Sequence, residues 1–129
     1  MIDFLKKLFG VVSSASFRKV DWLAVEGKVR QLEQLLTTTD QANSKQLIIQ
    51  ADMLIDSILK DAMVSGNTMG ERLKNVRDRL PKNIYGGVWQ AHIKRNELVH
   101  DSGSFVADWE KSKYFDSYKQ AVSALRGLK

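Results

Sequence analysis

His92, Arg95, Asn96 and His100 crowd into the stretch HIKRNELVH, which holds both histidines of the chain. On a helix advancing about 100° per residue, His92, Asn96 and His100 stack along one stripe, and Arg95 lies about 60° from His92. These residue types suit phosphodiester cleavage in RNA. A histidine titrating near neutrality can take the proton of a 2′-hydroxyl or return one to a leaving oxygen. An arginine fork can hold the phosphate and offset the charge that builds in the transition state. An asparagine can orient the phosphate or the imidazole. One histidine cannot be base and acid at once, so a symmetric dimer facing two such helices would supply the second. The same residues also have a structural reading, in which the arginine pairs with an acid from an earlier helix and the histidine caps or packs. Asp52 and Asp56, on the apolar side of the second helical stretch, are the acids placed for that, and each needs a partner if buried.

The elements that carry these residues read as helices. Apolar residues recur at helical spacing throughout, and strand-like alternation is scarce. The first helix is expected over 16–36, capped by Ser16, with Val20, Leu23 and Leu32 on its inner stripe. The second runs over 41–64. A short basic helix, MGERLKNVRDRL, follows Thr68, whose spacing to Glu71 is that of a capping box. The fourth carries the histidines. Asn83 is its expected cap, Gly86 and Gly87 weaken its first turns, and Val88, Trp89, Ile93 and Val99 are to supply its core contacts. The last covers 106–128, with Trp109, Phe115 and Tyr118 on its apolar side. The expectation is an all-α, antiparallel up-and-down bundle of four main helices plus one short basic helix, over residues 16–128. Ahead of it lies MIDFLKKLFGVV, residues 1–12, read as a short amphipathic segment that docks on protein, with peripheral membrane contact as the weaker alternative.

Composition narrows the chemistry. The 129 residues fit one domain. Cysteine is absent, which removes disulfides, thiol nucleophiles and thiolate metal sites and points to a reducing cytoplasm. With two histidines, a His-rich metal cage is not expected either, so no metal or cofactor is anticipated. The net charge of +5 leans towards anionic partners. Between residues 69 and 100, seven basic side chains face three acidic ones, so most of the excess sits there. Arg72, Lys74, Arg77, Arg79 and Lys94 are the candidate nucleic-acid contacts, with Lys82 beside them. The plainer reading is a solvated charged face. Trp22, Trp89 and Trp109 are expected in the core rather than under bases, whereas Tyr85, next to the glycine pair, is read either as an ordinary loop tyrosine or as one exposed to stack on a base. YGG lacks the lysine and preceding strand of a phosphate loop. Glu97 lacks the second carboxylate of a paired-carboxylate site.

RNELVH, Arg95 to His100, resembles the R-x4-6-H motif of the HEPN superfamily, small helical domains found in prokaryotic toxins and RNA-cleaving immune proteins. Asn96 matches the polar residue that commonly follows the arginine, and MGERLK resembles short basic segments of bacterial members. The resemblance spans 16–128, and its specific part is the six-residue motif. It implies a HEPN-like bundle, metal-independent RNA cleavage leaving a 2′,3′-cyclic phosphate, and a homodimer with one composite groove. Carried over, Arg95 binds the phosphate, Asn96 supports it and His100 is the general base or acid; His92 matches no motif position. A toxin or defence role, with RNA as substrate and a cognate antitoxin as partner, follows the same resemblance. Ser102 stands where some toxins carry a tyrosine modified by AMPylation, so that regulation is not implied. The alternative within the family is a catalytically inactive module for partner or nucleic-acid binding and dimerisation.

Overall fold

Helix is the regular structure of residues 15–129, the part of the chain that a computed structural model describes, and no strand occurs among them. The helices are α1 (Trp22–Glu33), α2 (Gln41–Asp61), α3 (Met69–Asn75), α4 (Lys82–His100) and α5 (Asp108–Arg126). Four are long, and the short third one is basic, as the apolar spacing and charge pattern indicate. The amphipathic reading of residues 1–12 lies outside the described residues.

Local chemistry sets the ends. The expected first helix is broken at Val20–Asp21. The Asp21 side chain accepts from the Ala24 amide and so starts α1 afresh. The Trp22 indole donates to the Phe17 carbonyl at 2.7 Å, holding the 3-10 turn Phe17–Lys19 against that start. Asp40 caps α2 in the same way. Thr68 caps α3 by accepting from the Glu71 amide, while Glu71 reaches back to the Asn67 amide at 2.6 Å. The basic helix ends at Asn75, and Arg77–Arg79 form a separate 3-10 turn rather than its continuation. Pro81, not Asn83, sits at the start of α4, where the missing amide costs nothing. The helix then runs unbroken through Gly86 and Gly87. A Cβ at Gly87 would lie 3.0 Å from Ser117 Oγ, so the glycine lets α4 approach α5 closely.

α2 is the central helix, touching α1, α3, α4 and α5, and the α4–α5 pair packs most extensively. Ile48, Ile55, Ile58 and Leu59 of α2 meet Leu32 of α1, Leu73 of α3, Val88 of α4 and Phe115 and Leu125 of α5 in one buried cluster. Polar side chains fasten the loop between α4 and α5. The Gln41 amide accepts from the Val106 backbone N–H and donates to its carbonyl, each at 2.8 Å. Nearby, the buried Lys111 donates to the Thr38 carbonyl.

Four residues expected in the core are exposed: Leu23, Ile93, Val99 and Trp109. For α4 the reason is rotation of the buried stripe. It passes through Val88, Ala91, His92, Lys94 and Leu98, which turns Ile93 and Val99 outwards. This orientation is tolerated because the polar members of the stripe find partners, as charges leaving water must.

Candidate active site

Asp52 lies on the inner side of α2, only 2% exposed, between Ala51 and Ile55. An isolated carboxylate there would cost several kcal/mol. Two hydrogen-bonding side chains and one cation converge on it instead. His92 Nδ1 from α4 lies 3.1 Å from both carboxylate oxygens. The Tyr118 hydroxyl of α5 donates to Oδ1 at 2.9 Å. Arg95 Nε, one turn beyond His92, stands 3.5 Å from Oδ2. Burial first, and then the charge and hydrogen bond of Asp52, push the Tyr118 hydroxyl well above its ordinary range. It therefore stays a protonated donor at neutral pH.

A carboxylate only accepts, so the His92 ring proton belongs on Nδ1 and Nε2 is the basic nitrogen. Nε2 has no partner among the described residues and faces Gly70, where a Cβ would come within 4.0 Å of it. The space beyond is a groove of about 440 Å³, with Asp52, Gly70, Trp89, His92, Arg95 and Asn96 among its walls. Arg95, with 30% of its side chain exposed, donates from Nη1 to Asn96 Oδ1 at 3.0 Å. Among the described residues its Nε is buried without a hydrogen bond, and the Asp52 charge lies nearby. The groove thus offers an oriented imidazole, a partly committed guanidinium and an amide from one turn and a half of α4. That set can move a proton at Nε2 and hold an anion beside it.

Arg95 and Asn96 of the sequence-derived site therefore stand together, whereas His100 does not join them. It is the exposed last residue of α4 and is not a wall of the groove. His92, set aside on sequence grounds as outside the motif, occupies the centre. A signal for it was present: His92 falls one turn after Val88 on the inner stripe, and Asp52 falls on the inner stripe of α2. A buried imidazole and a buried carboxylate each need a partner.

Asp56, the other acid singled out, pairs with Arg72. The guanidinium grips both carboxylate oxygens at 2.6 and 3.0 Å and the Gly66 carbonyl at 2.7 Å. Gly66, at φ +148°, has no room for a Cβ, because Arg72 would lie 2.8 Å from it. This corrects the reading of Arg72 as a phosphate contact: it is buried, and each of its three nitrogens already donates to Asp56 or Gly66. Lys94 is likewise buried, with Nζ 3.2 Å from Glu110 and 3.6 Å from Glu97. Lys74 and Arg77 are exposed and Arg79 partly so. Among the described residues no three His, Asp or Glu side chains cluster as a metal site would require, and no helix is long and apolar enough to cross a membrane.

The Asp56–Arg72 pair has a pH signature. Burial alone would raise the Asp56 carboxyl, but the hydrogen bond and charge of Arg72, with Lys60, outweigh it and hold the group below its usual range. A group depressed in the fold adds stability above its unfolded value, and that contribution disappears as pH falls through the folded value. Melting temperature should therefore be indifferent to this pair above about pH 5 and fall below about pH 4. Asp56→Asn should melt lower at pH 7 and show a shallower acid limb; an unchanged acid limb would remove the pair from the account.

Compared with known proteins, the chain matches no family model, no curated protein and no solved structure.

Proposed function

We propose that the groove takes an RNA phosphodiester and cleaves it without a metal, in the manner that the likeness of RNELVH to the HEPN motif implies. The observation that carries this reading is the arrangement on α4. Arg95 and Asn96 and the open Nε2 of His92 face one groove, with Asp52 behind the imidazole. In the reaction, Nε2 takes the proton of the 2′-hydroxyl and the freed oxygen attacks the adjacent phosphorus. The bond to the 5′-oxygen breaks, leaving a 2′,3′-cyclic phosphate. Asp52 offsets the charge of the imidazolium formed. Arg95 and Asn96 hold the non-bridging oxygens, where negative charge grows. The departing 5′-oxygen needs a proton from a second acid, and His100 from the partner copy of a homodimer is the group assigned to it. A toxin or defence factor is the cellular role that goes with such an activity.

The test is incubation of the purified chain with structured and single-stranded RNA in EDTA. Cleavage with cyclic phosphate ends is expected, reduced about 10²–10³-fold in Arg95→Ala by loss of a charge-stabilising donor. If the native chain cuts no RNA, the catalytic reading falls. The exposed position of His100 outside the groove favours a second reading, a HEPN-like module that binds partners or nucleic acid and dimerises without catalysis.

A further inference from the structure

We infer that the groove continues along α4 as a track for single-stranded RNA, formed by Trp89 and Tyr85 and flanked by Lys74, Arg77 and Lys82. The inference rests on the reading of the groove as an RNA site and adds the form of the strand and its path. Three rings follow one another on α4. His92 and Trp89 have centroids 5.9 Å apart. Trp89 and Tyr85 lie 6.0 Å apart with planes only 20° from parallel. Beyond Tyr85 a second hollow of about 540 Å³ opens, walled by Arg77, Asp78, Leu80, Lys82 and Tyr85. Seven residues of helix separate His92 from Tyr85, about 10 Å at the helical rise. That is the length of about three stacked nucleotides of one strand.

The charges favour a polyanion with flat, unpaired groups. Lys74 Nζ lies 5.9 Å from the Trp89 centroid, and the Arg77 guanidinium 5.6 Å from that of Tyr85. Both cations are exposed, so a base arriving on either ring can displace its cation onto the neighbouring phosphate. Asp78 is the only acid among the walls of the second hollow; Glu71, on α3, is engaged by the Asn67 amide. A duplex keeps its base faces stacked and cannot use rings of this kind, whereas a single strand can. Stacking engages the flat face that every base has, so the track is tolerant of sequence. Trp89 therefore serves twice, packing part of its surface on the core and presenting the rest to the groove.

Binding is read by fluorescence anisotropy with a labelled ten-nucleotide single-stranded RNA, 2′-O-methylated so that it cannot be cleaved. The same sequence as a duplex and a polyglutamate chain serve as competitors. The single strand should bind at least about tenfold more tightly than either, since each stacked base contributes about 5- to 150-fold. Tyr85→Leu and Trp89→Leu should each weaken it by such a factor, and Trp89→Phe should restore most of the affinity. Lys74→Gln with Arg77→Gln, both exposed, should instead flatten the dependence of log affinity on log salt by about 0.7 for each phosphate no longer neutralised. The inference is overturned by tighter binding of the duplex or of polyglutamate, by no binding of the single strand, or by native affinity in Tyr85→Leu and in the Lys74/Arg77 double variant. Cleavage in EDTA is scored separately. A chain that binds as described but cuts nothing loses the catalytic reading and keeps the track. A chain that cuts RNA with these variants binding normally keeps the catalytic reading and loses the track.

Discussion

Asp52→Ala should lower the stability of the fold by about 3–5 kcal/mol, because it leaves a buried histidine, a buried tyrosine hydroxyl and the arginine facing a void. For a domain of this size that is a fall of roughly 10–25 °C in Tm, read by calorimetry or circular dichroism. Asp52→Asn separates the two duties of the side chain. Its carbonyl oxygen can still accept from Tyr118, and the change in stability should stay below about 1.5 kcal/mol. Its NH2 group, however, takes the Oδ2 position 3.1 Å from His92 Nδ1 and competes with the equally close carbonyl oxygen, drawing that nitrogen towards accepting. The ring proton then moves to Nε2, on the groove side, where a base is needed. Cleavage should fall by about 10³–10⁴-fold, the scale on which an imidazole held in the wrong tautomer fails. A fully active Asp52→Asn protein would show that Asp52 serves the fold alone.

His92→Gln should reduce cleavage by about 10²–10⁴-fold with a nearly normal melting curve, since the glutamine amide can still donate to Asp52. His100→Ala should reduce it as well if the two histidines act across a two-fold axis. The decisive measurement mixes the two variants. In a dimer of one His92→Gln and one His100→Ala subunit, a site built from His92 of one copy and His100 of the other survives once. Random mixing makes half of the dimers mixed, so about a quarter of the native rate should return. If both histidines act within one chain, mixing restores nothing. No recovery would therefore sink the composite site and leave His100 outside the chemistry.

The helices are legible because apolar residues at helical spacing leave few alternatives: Leu47, Ile48, Ala51 and Ile55 read as one face and are buried as one face. The interruption before α1 is not legible by that rule, because Val20, Leu23 and Leu32 keep the spacing across it. What breaks the run is a local hydrogen bond, the Asp21 cap, reinforced by the Trp22 indole. Asp52 and Asp56 stand out as acids on an apolar face, and both have partners. Which partners they take depends on how α2, α3 and α4 rotate against one another, and that is a property of packing. Hence Arg72 and Lys94 read as surface charge when their nearest carboxylates, Asp56 and Glu110, lie on other helices, and His92 yields its place to a motif histidine that lies at the helix end. Spacing within one helix orders residues along a stripe. It does not say which stripe is turned towards a carboxylate on another helix.

The Gln41 amide treats Val106 as a neighbouring strand would, exchanging two hydrogen bonds with its backbone. In the language of graphs, this closes a cycle between residues 65 apart, and every wall of the groove belongs to it. A disulfide at the same place would be called a loop closure. Here one neutral side chain makes it, reversibly and without redox chemistry. Tyr118 lies outside the cycle, so the site has a closed frame plus one external strut from α5. Cutting the frame at Gln41 and removing the strut at Tyr118 are then independent operations on one groove.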